Sequence, residues 1–255
     1  MHSKISARNL RIVYRGKQDQ EPVLACDGVD LDVEEGAFVS IVGPSGCGKT
    51  TLLYAIDGLL PINGGEIRVN DKPIDGPGRD RALVFQSASL LPWRTVWGNI
   101  TYGVHLRNGW DRERSARVDS LIDLVGLRGF ERRYPSELSG GMQQRANLAR
   151  ALAVDPDVLL LDEPFASVDA QTRERLQYEL TQIWQRTQKT MLFVTHDIAE
   201  AVFLSDQVVV FSARPARVRE IVRIDIPRPR SPETKLSPRL QDYVKRIWNL
   251  IEVSA

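Results

Sequence analysis

Five short apolar runs punctuate the chain, at residues 38–42, 82–85, 158–161, 191–195 and 208–211. None alternates with polar positions, so each predicts a strand covered on both faces, as in a parallel sheet. Helical spacing fills the intervals: Leu52, Leu53, Ile56, Leu59 and Leu60 follow the first run, and Leu176, Leu180, Ile183 and Trp184 precede the fourth. Such alternation predicts an α/β core with a mostly parallel sheet. Between 85 and 158 the pattern changes. Val118, Leu121, Ile122 and Val125 make one amphipathic helix and residues 140–152 another, with no strand between them, which predicts an inserted helical subdomain. Towards the N-terminus, Ile5 and residues 10–13, 31–33 and 67–69 predict antiparallel strands flanking the core. A Pro-rich break, Ile226-Pro227-Arg228-Pro229-Arg230-Ser231-Pro232, separates off a tail. In that tail Leu240, Tyr243, Val244, Ile247, Trp248 and Ile251 form an apolar stripe, which either docks on its own domain or meets a partner.

Composition narrows the function classes. Of 255 residues, 42% are hydrophobic and 26% charged, ordinary globular values that exclude disordered and collagenous chains. Lys and Arg number 34 against 33 Asp and Glu, so the basic excess of a nucleic-acid-binding surface is missing. No apolar stretch approaches the ~20 residues of a membrane span, and Met1-His2-Ser3-Lys4 opens no secretory signal. The expected location is cytoplasmic. Cys26 and Cys47 cannot build a disulfide framework or a four-thiolate zinc site, and His2, His105 and His196 lack metal-ligand spacing.

Gly43-Pro44-Ser45-Gly46-Cys47-Gly48-Lys49-Thr50, followed by Thr51, satisfies the phosphate-loop pattern between a buried strand and an apolar-periodic helix. Glycines let backbone N–H groups curl around phosphate oxygens, and the helix start adds a favourable dipole. Lys49 is placed to reach β- and γ-phosphates, and Thr50 to offer its hydroxyl to Mg²⁺. The loop alone implies a nucleoside triphosphate without saying what its energy does.

The run at 158–161 ends in Asp162-Glu163-Pro164. Asp162 is placed to hold Mg²⁺ through water, and Glu163 to polarise the attacking water as general base. Ligands gather at the carboxyl edge of a parallel sheet, so His196, after the next run, either contacts the γ-phosphate or merely caps the following helix. Gln86 follows the 82–85 run. It either offers an amide to Mg²⁺ and the nucleophilic water, or is an ordinary loop residue.

Leu138-Ser139-Gly140-Gly141-Met142-Gln143-Gln144-Arg145 is a second anion receptor at a helix start. A chain that already has one phosphate loop has no evident use for another, which suggests that this motif completes another protomer's site. The sequence here resembles the ATPase subunits of ATP-binding cassette transporters. That family's signature is LSGGMQQR, and GPSGCGKT, Gln86, LLLDEP, SVDA and His196 match its other elements in order over roughly residues 3–225. The resemblance implies the cassette ATPase fold. Residues 1–86 and 158–225 then form a RecA-like ATP-binding core with its antiparallel flank, 87–157 the helical subdomain, and 226–255 a Pro-rich linker and amphipathic helix. It also implies a head-to-tail homodimer around two ATP molecules, with Mg²⁺ held by Thr50, Gln86 and Asp162. Each ATP meets the phosphate loop of one copy and the 138–143 segment of the other, with Ser167 and Asp169 at the dimer seam. Tyr14 resembles the aromatic that stacks on adenine, a contact of ~1–3 kcal/mol, or is simply a strand residue.

Gly76-Pro77-Gly78-Arg79, residues 89–94, Phe165 and the Pro-rich segment with its Trp248 helix resemble the nitrate, sulfonate and taurine importer branch. Importer membership implies separate transmembrane permease subunits and, indirectly, a periplasmic or lipid-anchored solute-binding protein. It places the chain at the cytoplasmic face of the inner membrane, with no nucleic-acid partner. Leu91, Trp93 and Trp97 then belong to the surface facing the permease; the two tryptophans are otherwise core residues of the insertion. A cassette ATPase acting on nucleic acid or ribosomes is the alternative. Val168, Met142 and Asp57 depart from the family's common residues, and Asp57 needs a polar partner or water if buried.

Overall fold

The computed structural model describes residues 3–14, 21–108 and 111–252, with backbone alone at 107 and 108. His2 lies outside the described residues. The elements in chain order are β1 (Ser3–Tyr14), β2 (Val23–Glu34), β3 (Phe38–Val42), α1 (Lys49–Asp57), β4 (Gly64–Val69), β5 (Lys72–Pro73) and β6 (Arg81–Val84). There follow α2 (Val96–Asn108), α3 (Arg112–Leu124), α4 (Gly140–Ala153), β7 (Val158–Asp162) and α5 (Ala170–Thr187). The chain continues through β8 (Thr190–Val194), α6 (Ile198–Leu204), β9 (Gln207–Phe211), β10 (Val218–Arg223) and α7 (Pro238–Glu252). They fall into two compact units, Met1–Gly78 with Gln188–Ala255, and Arg79–Thr187.

In the first unit β3 lies between β8 and β9, parallel to both, and β10 runs antiparallel along β9. Every residue of β3 and β8 is buried, which is why their sequences show no alternation. The predicted flank is the antiparallel sheet β2-β1-β4-β5. In β1 the buried set Ile5, Ala7, Leu10 and Ile12 changes phase at a register shift between Ala7 and Leu10. There Asn9 adopts φ 45° and its N–H donates to Asp30 Oδ1. A bulge of this kind inserts a residue and bends the strand.

α1 buries Leu52, Leu53 and Ile56, each contributing roughly 1.5–3 kcal/mol relative to exposure. Asp57 is also buried, at the helix end. The helix stops at Gly58, which turns left-handed at φ 87° and donates its N–H to Ala55 O. Leu59 and Leu60, spaced as if helical, therefore lie beyond it.

The tail is not separated off as the Pro-rich break suggested. α7 packs on α6, β9 and β10, burying Leu240 and Ile247 while Trp248 stays 54% exposed. Tyr243 Oη accepts the N–H of Asp225 at 3.1 Å. The stripe docks on its own unit.

In the second unit β6 and β7 are parallel, registered from Arg81↔Val158 to Val84↔Leu161. α4 packs against β6, α2, α3 and α5, and nine of its residues are buried, several of them alanines that permit close approach. α3 begins at Asp111, whose side chain accepts the Arg114 N–H. The apolar pattern does not announce α2, because its buried side includes Asn99 and Thr101 beside Val96, Ile100 and Val104. Asn99 justifies its burial by hydrogen bonding: Oδ1 accepts Leu91 N–H at 2.7 Å and Nδ2 donates to the carbonyls of Leu91, Arg94 and Thr95.

Gly58 and Gly129 share φ 87° but differ in surroundings. A Cβ on Gly58 would lie 2.2 Å from the Gly76 carbonyl, whereas one on Gly129 meets nothing within 4 Å. Gly129→Ala should cost about 1 kcal/mol of conformational strain, and Gly58→Ala more than about 3 kcal/mol, in urea unfolding. Equal costs would remove the steric argument.

Candidate nucleotide site

The glycine-rich loop leaves β3 and closes on α1. Gly48, at φ 124°, precedes the helix without any side-chain cap, so the first N–H groups of α1 face an incoming anion. Close approach requires one glycine and favours a second. A Cβ on Gly48 would stand 2.8 Å from Ala25 O, and one on Gly43 3.0 Å from Phe211 O and Phe211 Cβ. At Gly46, with φ 71°, nothing lies within 4 Å, so that glycine answers to backbone conformation rather than space. Pro44 O accepts the Cys47 N–H at 3.3 Å. Lys49 is 6% exposed and folds back over the loop, Nζ donating to Gly43 O at 2.9 Å and Pro44 O at 3.1 Å. A phosphate oxygen entering the loop meets this ammonium at close range. Ser45 is exposed, and Thr50 and Thr51 are half-buried on the first turn of α1.

Cys47, within the loop, and Cys26, with its Sγ 3.9 Å from Gly48 O, are both buried. Burial pushes the Cys26 thiol up to about 12 and raises that of Cys47 as well. They fill space as thiols rather than act as nucleophiles.

His196 leaves the same sheet edge as the loop. β3 and β8 are parallel, and Thr195 N–H donates to Ile41 O at 3.3 Å, two residues before Gly43. The imidazole is exposed. The helix that follows is capped by Asp197, whose Oδ1 accepts Glu200 N–H at 3.0 Å, so the capping role considered for His196 belongs to its neighbour. Thr195 Oγ1 bonds the buried Glu200 carboxylate and accepts Asp197 N–H at 3.0 Å. Tyr14 ends β1 with its ring 52% exposed.

The second unit holds the remaining candidates. β6 and β7 are parallel and in register, so Gln86 and the Asp162-Glu163 pair leave one edge together. Asp162 is 4% exposed, while Glu163 is half-buried at φ 43°. For a non-glycine residue that conformation costs of order 1–3 kcal/mol and is typical of functional positions. The Gln86 side chain is exposed.

Ser139 caps α4, its Oγ accepting Met142 N–H at 3.3 Å. Ser139 and Gly140 are exposed, whereas Leu138 and Gly141 are buried. A Cβ on Gly141 would meet Thr172 Cγ2 at 2.6 Å, so this glycine is required by the packing of α4 on α5. Met142 is half-buried. Gln143 is spent locally, donating to Pro135 O at 2.9 Å and Leu138 O at 3.3 Å. Ser167 and Asp169 are exposed. Asp169 Oδ1 accepts Thr172 N–H at 3.0 Å, and that backbone bond holds its carboxyl below the usual range. Trp93 is 71% exposed, which rules out the core alternative for it. Leu91 and Trp97 are half-buried around the start of α2.

The sequence reading passed over Gln144. It is 4% exposed, and its Nε2 donates both to Gln86 O at 3.1 Å and to Pro164 O. Asn147 and Arg150 continue the same side of α4: Arg150 donates to Asn147 Oδ1 at 2.7 Å and to Ser89 O at 2.9 Å. One turn inside the signature helix, a single amide thus joins the segments that carry Gln86 and Glu163. Its i,i+3 spacing to Asn147 was the available clue.

A model of the ABC transporter family matches residues 26–166. The taurine import ATP-binding protein TauB of Rhizobium johnstonii is 49% identical over 204 residues, covering 80% of this chain and 77% of that protein. The nitrate import ATP-binding protein NrtD of Synechocystis is 42% identical over 257 residues, covering 98% and 95%. A solved dimeric ATP-binding cassette in a post-hydrolysis state, bound to ADP and Pi, matches with TM-score 0.75 and 29% identity over 87% of this chain and 99% of that one.

Gln144→Leu keeps the volume but strands two carbonyls. Urea unfolding should show a loss of about 1–3 kcal/mol, chiefly from the Pro164 carbonyl, whose bond is the buried one of the two. A change below about 0.5 kcal/mol would mean the bridge carries no load.

Proposed function

The chain belongs to the ABC transporter ATP-binding family and is an ATPase of the cassette type; on that premise we propose that it is the energy-coupling subunit of a membrane importer for sulfonate, taurine or nitrate-type solutes. The observation carrying this reading is one chain with a phosphate loop at 43–50, LSGGMQQR at 138–145 and near-full-length similarity to importer subunits. The solute class rests on those relatives. In this reading residues 1–86 and 158–225 bind nucleotide, 87–157 form the helical arm, and 226–255 buttress the first. The chain works at the cytoplasmic face of the inner membrane, beneath separate permease subunits fed by a solute-binding protein.

The N–H groups of the loop and the Lys49 ammonium hold the β- and γ-phosphates, Tyr14 offers its exposed ring to adenine, and His196 hydrogen-bonds the γ-phosphate. Glu163 takes a proton from the attacking water, which Gln86 helps to orient. Ser139, Gly140 and Gly141 of a second copy close over the same nucleotide, with Ser167 and Asp169 at the seam. Leu91, Trp93 and Trp97 face the permease.

Among the described residues no cluster of three or more His, Cys, Asp or Glu side chains could hold a metal. The hard oxygens of Thr50, Asp162 and Gln86 nevertheless suit Mg²⁺, which takes one or two protein carboxylates and otherwise water and phosphate. Bound there, it would neutralise phosphate charge.

Glu163→Gln should leave ATP binding intact and slow hydrolysis by ~10²–10⁴-fold; near-wild-type turnover would refute the base assignment. Ser139→Arg should abolish ATP-dependent dimers on gel filtration while each copy still titrates nucleotide. Dimers that persist would end the shared-site reading. Co-purification of the chain with DNA or ribosomes in place of a membrane protein would favour the non-transport alternative.

A further inference from the structure

The Pro-Arg-Pro-Arg segment is the one motif the proposed reaction does not use, yet it holds a deeply buried guanidinium. Arg230 is 1% exposed. Its Nη1 donates to the carbonyls of Val202, Phe203 and Ser205 at 3.0, 2.9 and 2.8 Å. Its Nε and Nη2 donate to Ile226 O at 3.3 and 3.1 Å. Arg228 covers the carbonyl left between them, Nη2 donating to Leu204 O at 2.6 Å, and its Nε donates to Asp206 Oδ1 at 2.9 Å. Four consecutive carbonyls at the end of α6 thus meet two cations from the tail. A helix terminus leaves four such acceptors, and positive charge there is favourable. Lys235 adds a third cation, 4.9 Å above the Phe203 ring.

α6 has only seven residues, too few to hold its own geometry in water. Its position is therefore set by its neighbours: its buried side packs on β3, β9 and α7, and its two ends are gripped by side chains. The N-terminal grip is the Thr195, Asp197 and Glu200 network that brackets His196. The C-terminal grip is Arg228 and Arg230.

We propose that Arg228 and Arg230 are positioning residues for His196: the tail clamps the far end of α6 so that the imidazole is presented at the sheet edge beside the phosphate loop. The inference rests on the role assigned to His196 under the proposed function. Both arginines are taken up by backbone carbonyls and Asp206.

The test uses the full chain and its ATPase activity. Arg228→Gln and Arg230→Lys should each lower kcat about tenfold, the scale of a small misplacement of a reacting group, with KM for ATP little changed. Introduced into His196→Ala, the same substitutions should lower kcat no further. The chain has three histidines, so the His196 imidazole can be assigned in a heteronuclear NMR spectrum by its loss in His196→Gln. It should shift or broaden in both arginine variants while the His105 signal stays put. If Arg230→Lys does not fold, Arg228→Gln carries the test, since Arg228 lies nearer the surface with 16% of its side chain exposed. An unmoved His196 resonance, or a full additional loss of kcat in the His196→Ala background, would overturn the clamp and leave the arginines as scaffold. Full turnover by His196→Ala itself would sink the role of His196, and the clamp's catalytic value with it. The imidazole signal tells these two failures apart.

Discussion

A helix that starts without a capping side chain leaves its first N–H groups to any anion that reaches them. α1 starts in this way at Gly48, and the surrounding structure serves to hold that start still. β3 is clasped by parallel neighbours on both sides, so the loop leaves a rigid edge. Gly48 lets the chain at Ala25 close to a distance no side chain would permit, and Gly43 gives Phe211 an approach few side chains would tolerate. Lys49 then brings its charge back over the turn. Binding energy is spent on the ligand because little is needed to order the receptor.

The second unit has its own fixed point in α4. The helix carries an exposed Ser139 and Gly140 at one end, and its buried side fastens neighbouring loops through Gln144, Asn147 and Arg150. Through the Gln144 amide its first turns are tied to the backbone of Gln86 and to the turn after Glu163. Glu163, at φ 43°, directly precedes the Pro164 carbonyl that Gln144 holds.

How much of this could be read from residues alone follows from the physics of each signal. β3, β7 and β8 were legible because strands buried on both faces have no reason to alternate. The phosphate loop and the signature helix were legible because their chemistry fixes residue types at set spacing. α2 was not, since Asn99 and Thr101 occupy its buried side and break the apolar period. Gln144 was hidden in a pair of glutamines, and only the structure separates its bridging amide from that of Gln143, which bonds its own loop. The His196 alternative turned on one position, and Asp197 proved to be the cap. The Pro-rich segment left the docking of its tail open. Prolines and arginines look like a solvated linker, yet Arg230 lies at the bottom of a pocket of carbonyls, a partnership that depends on contacts 25 to 28 residues away along the chain.

The buried thiols have a practical side. Maleimides and disulfide reagents attack the thiolate at an accessible sulfur, and Cys26 and Cys47, the chain's two cysteines, are both enclosed and kept protonated. Both burial and the raised thiols disfavour attack by such labels at neutral pH. A fluorophore or spin label can be placed on a single new cysteine at an exposed site away from the candidate residues, such as Ser120 on α3, without first stripping out the natural ones.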